Sequence, residues 1–319
     1  MSNGEVAARA RLGYTVPHRG CRGPAIHAVT NVTVNMNRIL IPTLALFCSF
    51  GCNLIPTLDD IILRPESGFE MTPIDLGFPF EEATIPVNES RSIVVWTIPA
   101  ENAKALVLVI PGSDANKGRY VEVLPILTPN GYSTILMDYA GFGDSPGMST
   151  LDSVLDDAGA AIAFAKTQHE HVFAFSASLG TPLLAHHAQD VDLAGCIFEG
   201  SLILLDEPEL WLRRNGFAVV ADPFGGIANF WTHPQIPPEY DILHTIRGVD
   251  EPKLFLHSIE DETTPYEGGV RVFEAASEPK MFYDMRGEHG KAIRIDFDAY
   301  AENLRTWLDA TLADRLQAE

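Results

Sequence analysis

Basic residues are scarce in this chain: 22 Lys and Arg stand against 43 Asp and Glu, a formal charge of −21. No basic stripe interleaved with aromatics occurs, so a nucleic-acid partner is excluded, because a phosphate backbone would be repelled. Cysteine is equally sparse. Cys21, Cys48, Cys52 and Cys196 have neither metal-ligand spacing nor the pattern of a disulfide framework. No internal repeat or low-complexity tract appears, and the scattered acidity reads as a soluble surface. What remains is 319 residues, 46% of them hydrophobic, enough for one large domain with a sizeable core.

The N-terminal region reads as two pieces. Residues 1–35 are rich in Arg, Gly and Ala without helical or strand period, and are expected to be a non-structural extension. From Met36 a short basic stretch leads into the apolar run Ile39–Phe50, followed by Gly51 and Cys52. Segment 36–52 resembles a bacterial lipoprotein signal peptide, with Cys52 as the lipidated residue and Met36 as a candidate true start. The expectation is an exported protein, held at the membrane of the cell envelope through Cys52. A cytoplasmic protein in which this run is a buried helix is the alternative, as is an uncleaved anchor. For the anchor, the run is short against the roughly 20 residues of a spanning helix, and Pro42 interrupts it. Residues 53–77, irregular and Pro-containing, read as a tether.

Beyond the tether, apolar strand-like runs alternate with helical segments. Arg91–Ile98, Ala105–Ile110, Tyr132–Met137, the apolar run from His171 that stops at Ser178, Ala194–Phe198, Lys253–His257 and Lys280–Tyr283 read as strands. Tyr120–Leu127, Asp152–Lys166, the stretch from Thr181 to about Gln189, Gly268–Ala276 and Asp296–Ala313 read as helices. In the second of these, Leu155, Ala158, Ile162 and Ala165 share one side. The alternation predicts a three-layer α/β fold, a mainly parallel sheet with helices on both faces, over 78–315. Chemistry in such sheets gathers at the carboxyl ends of the strands.

The loops after the strands supply candidates. Ser176-Ala177-Ser178-Leu179-Gly180 sets a serine between small residues at a strand-to-helix junction, where backbone crowds backbone. A small Gly-containing loop, Pro111–Asn116, follows Ala105–Ile110. There the N–H of Ser113, with that of Leu179, could form an oxyanion hole; a plain capped turn is the alternative. The loop Asp138–Gly147 holds three glycines but no following Lys-Ser/Thr pair, which argues against a phosphate cradle. Asp261, chosen over Glu260 and Glu262, follows Lys253–His257 and could orient an imidazole; a helix cap or surface acid is the alternative. His289, between Glu288 and Gly290 beyond the last strand, is the histidine placed to act as a base, against the alternative of a solvated surface residue. Ser178, Asp261 and His289 thus follow one another in chain order, each after a strand. The other nine histidines read as surface, tail or packing residues.

These motifs together resemble the α/β-hydrolase superfamily from about residue 78 to 315, nearest its small serine esterases and thioesterase-like hydrolases. Pro111–Asn116 resembles His-Gly-Asn-x-x-Asn with Pro111 in place of His. Asp138–Ser145 resembles Asp-Tyr-Arg-Gly-Tyr-Gly-x-Ser with Ala140 in place of Arg. Ser176–Gly180 resembles the Gly-x-Ser-x-Gly elbow with Ser176 in place of the first Gly, Asp261–Pro265 the Asp-x-x-x-Pro loop, and Glu288–Gly290 the Gly-His segment. The resemblance implies a Ser178–His289–Asp261 triad with the N–H groups of Leu179 and Ser113 as oxyanion donors, acting on an acyl ester or thioester with no cofactor. A serine peptidase of the same fold, or a non-catalytic binding protein that kept it, are the competing readings. An insertion at about 202–250 carries Trp211, Phe217, Phe224, Phe230 and Trp231, and is expected to be a short lid or a loop packed on the core.

Overall fold

The computed structural model describes residue 59, residues 62–204 and residues 238–319. The extension 1–35, the signal-like segment 36–52 with Cys52, and the five aromatics of the insertion lie outside the described residues.

Eight strands form one sheet: β1 (Glu81–Pro86), β2 (Ser92–Ile98), β3 (Ala105–Ile110), β4 (Tyr132–Met137), β5 (Val172–Ala177), β6 (Gly195–Glu199), β7 (Lys253–Ser258) and β8 (Lys280–Met285). Their order across the sheet is β1-β2-β4-β3-β5-β6-β7-β8, with β1/β2 and β2/β4 antiparallel and every other pair parallel. The expected mainly parallel sheet is therefore present, with an antiparallel edge at its N-terminal side. Strand β1 escaped the sequence reading because an edge strand needs little apolar surface, and only Ile85 of its six residues is buried.

The central strands are apolar throughout because both faces are covered: every residue of β3 and β5 is buried. The pleat then sorts alternate residues to opposite sides. Leu106, Leu108 and Ile110 pack with α1 (Leu151–Gln168) and α2 (Gly180–His187), whereas Val107 and Val109 pack with α4 (Phe297–Ala318). A further helix, α3 (Tyr266–Ala275), lies against β7. Helix α1 starts at a capping box of Thr150 and Ser153, and its buried face runs through Val154, Ala158, Ala161, Ile162 and Ala165, with Leu155 at its margin.

Two readings of the sequence change and a third is narrowed. The stretch 120–127 is a 3₁₀ turn, Lys117–Val123, followed by one helical turn, Leu124–Leu127, since Pro125 is admissible only in a first turn. The part of the tether from Ile62 onward is packed on the domain: Ile62 and Leu63 are buried, and Arg64 N–H donates to Ser113 O at 2.8 Å. Of the two readings of the insertion, lid or loop packed on the core, both described ends follow the second, with Leu202, Ile203, Leu204, Ile242 and Ile246 buried in the cluster around α1 and α2. Among the described residues no helix is long and apolar enough to cross a membrane.

Candidate active site

Ser178 sits between β5 and α2 with φ +49°, a left-handed conformation that costs a non-glycine residue roughly 1–3 kcal/mol. The surroundings hold it there. Its N–H donates to Glu199 O at 2.9 Å, and its carbonyl accepts from the Thr181 N–H at 2.9 Å and the Thr181 hydroxyl at 2.6 Å. Gly180 is required: a Cβ there would lie 2.5 Å from Ile110 O and 2.9 Å from Pro111 O. Ser176, where the resemblance expects glycine, is fully buried and donates its hydroxyl to Ile197 O at 2.9 Å, so the strand absorbs it without disturbing the elbow.

His289 Nδ1 lies 2.7 Å from Asp261 Oδ2. Asp261 is itself fixed, with the N–H groups of Thr263 and Thr264 donating to Oδ1 at 2.8 Å each and the Thr264 hydroxyl to Oδ2 at 2.9 Å. Burial pushes the Asp261 carboxyl upward, but the His289 bond and charge and the Thr264 donors outweigh it and hold it below the usual carboxylate range. Burial likewise disfavours a charged His289, and the Asp261 hydrogen bond and charge overcome that, raising the imidazole above its ordinary value. With Nδ1–H committed to Asp261, Nε2 is left as the basic nitrogen. Glu260 takes no part in this pairing; it turns to Arg286 and the Gly287 N–H at the surface.

Ser178 and His289 line the same two adjoining cavities, of about 120 and 580 Å³, without a direct hydrogen bond between them. Such bonds commonly tighten only when substrate is bound. Ser113 borders the larger cavity, and Gly112 borders the smaller one, where a Cβ on it would come 3.2 Å from Ser178 Cβ. Among the described residues the N–H groups of Ser113 and Leu179 donate to no protein acceptor.

Sequence reasoning missed the groups that hold the 111–116 loop. The Tyr139 hydroxyl donates to Pro111 O at 2.8 Å, and the Tyr120 hydroxyl accepts the Gly112 N–H at 2.8 Å, so two phenols fix consecutive residues just before Ser113. Tyr139 belongs to the Asp138–Ser145 motif, which carried the only signal for it. Asp138 anchors the same region from within. Its carboxylate accepts from Lys117 N at 2.7 Å and Lys117 Nζ at 2.5 Å, and both side chains are wholly buried. Ala140, where the resemblance expects Arg, is buried and gives its N–H to Asp157 Oδ2 at 2.8 Å. Glu199 was missed as well: it borders the smaller cavity, accepts the Tyr300 hydroxyl at 3.0 Å, and burial raises its carboxyl to about 7. Among the described residues no group of three or more His, Cys, Asp or Glu is arranged to hold a metal ion.

The family model described as "Serine aminopeptidase, S33" matches residues 101–223. The chain is 25% identical over 251 residues to the uncharacterized protein YfhR of Salmonella typhimurium, covering 72% of this chain and 83% of that one. It is 23% identical over 197 residues to the lysophosphatidylserine lipase ABHD12 of Macaca fascicularis, covering 58% of this chain and 48% of the lipase, about half its length. Among solved structures, the Pyrococcus furiosus esterase Pf2001 superposes with a TM-score of 0.65 at 16% identity, over 78% of this chain and 98% of the esterase. Est1E from Butyrivibrio proteoclasticus superposes with a TM-score of 0.55 at 15% identity, over 73% and 99%.

Proposed function

We propose that this chain, which belongs to the α/β-hydrolase superfamily, is a serine hydrolase of carboxylic esters or thioesters. The observation that carries the reading is the Asp261–His289 hydrogen bond at 2.7 Å, which leaves Nε2 free beside cavities that Ser178 shares.

His289 Nε2 takes the Ser178 hydroxyl proton as Oγ attacks the acyl carbonyl, and Asp261 stabilises the imidazolium that forms. The oxyanion is held by the N–H groups of Leu179 and Ser113, which donate to no protein acceptor among the described residues. Collapse expels the alcohol or thiol, which takes the proton from His289. Water, activated by the same imidazole, then releases the acyl group and regenerates Ser178. No step calls for a cofactor.

Esterases and a lipase among similar proteins support ester chemistry. The description of the matched family model favours a second reading, amide cleavage next to a free amine. A panel of p-nitrophenyl esters, acyl thioesters and aminoacyl amides separates the two. Ester or thioester turnover at least about 100-fold above amide turnover is expected, and the reverse order would establish the peptidase.

For location, the lipoprotein-like layout of 36–52 supports a chain tethered to the envelope through Cys52. Mass spectrometry of the mature N-terminus tests it, with an N-terminal, diacylglycerol-bearing Cys52 expected. An unmodified Cys52 within a longer chain would overturn it.

A further inference from the structure

Glu199 is a carboxyl with too few donors. It ends β6, and its carbonyl already holds the Ser178 N–H at 2.9 Å. Its side chain borders the smaller cavity together with Ser178 and His289. An ionised carboxylate accepts about four hydrogen bonds; among the described residues Glu199 receives one, from the Tyr300 hydroxyl to Oε2. The lining is mixed: Ala177, Leu256, Met285, Ala292 and Ile293 stand beside Arg119, Lys291 and other charged side chains. Glu199 is half-buried and its side chain borders the cavity, so the second oxygen is open to whatever occupies it. Its raised value, about 7, reflects that burial, opposed by the Tyr300 hydrogen bond and the charge of His289.

The two cavities also differ in what they can hold. The leaving group of an acyl transfer must depart toward solvent, and the larger cavity, of about 580 Å³, suits it. The acyl group stays attached to Ser178. At about 120 Å³ the smaller cavity has room for a short arm, judged against the ~150 Å³ cavities that take a benzene ring.

We propose that Glu199 and this smaller cavity form a subsite for a short acyl arm bearing a hydrogen-bond donor, a hydroxyl or an ammonium, which the unfilled Glu199 oxygen accepts. The subsite rests on Ser178 being the nucleophile. It gives the enzyme a preference inside the ester class, because a donor-bearing arm adds a hydrogen bond to the carboxyl that a plain acyl arm cannot.

The test compares p-nitrophenyl butyrate with its 3-hydroxy and 3-amino analogues, measured on the wild type, Glu199→Gln, Tyr300→Phe and Ser178→Ala. The quantity read is the ratio of kcat/KM for each substituted ester to the plain one, so a general loss of activity cancels. The wild-type ratio should be about tenfold or more for at least one donor-bearing ester, and the two analogues tell hydroxyl from ammonium. In Glu199→Gln the ammonium ratio should collapse toward unity and the hydroxyl ratio should fall. Tyr300→Phe, which frees the carboxyl to swing, should lower the favoured ratio several-fold and serves if the glutamine variant does not fold. A wild-type ratio near one, or a ratio that survives in both variants, overturns the subsite and leaves the hydrolase reading standing. No turnover by the wild type, or turnover retained in Ser178→Ala, overturns the hydrolase reading and the subsite with it.

Discussion

Asp261 Oδ2 and His289 Nδ1 stand 2.7 Å apart at the carboxyl end of the sheet, and each shifts the other's protonation in the direction that favours the ion pair. The base in the proposed reaction is the neutral imidazole, so the rate should rise with pH through the His289 midpoint. Because that value is raised, the acid limb of kcat/KM should be centred above the ordinary 6.5. Asp261→Asn removes the charge and weakens the hydrogen bond that raise it. The acid limb should move to lower pH, and kcat should fall by about 10³–10⁴. A pH–rate series on both proteins checks this, and an unmoved limb would separate Asp261 from the titration.

Tyr120 and Tyr139 hold consecutive residues of the loop that leads to Ser113, and neither hydrogen-bonds Ser178. Each Tyr→Phe change should lower kcat by roughly tenfold with little change in KM, since a misplaced oxyanion donor weakens the transition state more than the bound ester. The double variant should lose less than the product of the two, because both act on one loop. Steady-state kinetics of the four proteins reads this directly.

The elbow makes a contrasting pair of predictions. Gly180→Ala forces a Cβ to 2.5 Å from the Ile110 carbonyl, and backbone there must shift. Activity should fall by about 100-fold or more, with a lower melting temperature. Ser176→Gly removes only a hydroxyl bonded to Ile197 O, and should keep activity within a few-fold while costing about 1 kcal/mol of stability.

The wholly buried Lys117–Asp138 pair should be felt in stability rather than in chemistry. Lys117 Nζ also lies 4.6 Å from the centre of the Phe69 ring and 4.7 Å from that of Trp96. Lys117→Met leaves the Asp138 carboxyl buried without its counter-ion and should cost about 3–5 kcal/mol. Adding Asp138→Asn should recover part of the loss. Urea unfolding midpoints of the single and double variants measure both effects.

The chain order of Ser178, Asp261 and His289 and the strand-helix alternation were legible because both are written locally. A continuous apolar run marks β3, mostly apolar runs mark β5 and β7, and small residues mark the elbow. The antiparallel edge was not, since β1 exposes most of its side chains and owes its place to pairing with β2. Residues 62–77 looked like a tether because irregular backbone leaves no periodic trace, although Ile62 and Leu63 are buried. Glu199, Tyr120 and Tyr300 could not be found from spacing. Their meeting depends on β6, the turn after β3 and α4 converging from distant parts of the sequence.

The most direct test of the account is covalent labelling of the folded protein with a fluorophosphonate, followed by peptide mass spectrometry, in the wild type and in Ser178→Ala. The account predicts a single adduct on Ser178, stoichiometric in the wild type and absent from the variant, with ester hydrolysis lost by several orders of magnitude alongside it. Undiminished labelling or hydrolysis in Ser178→Ala would contradict it.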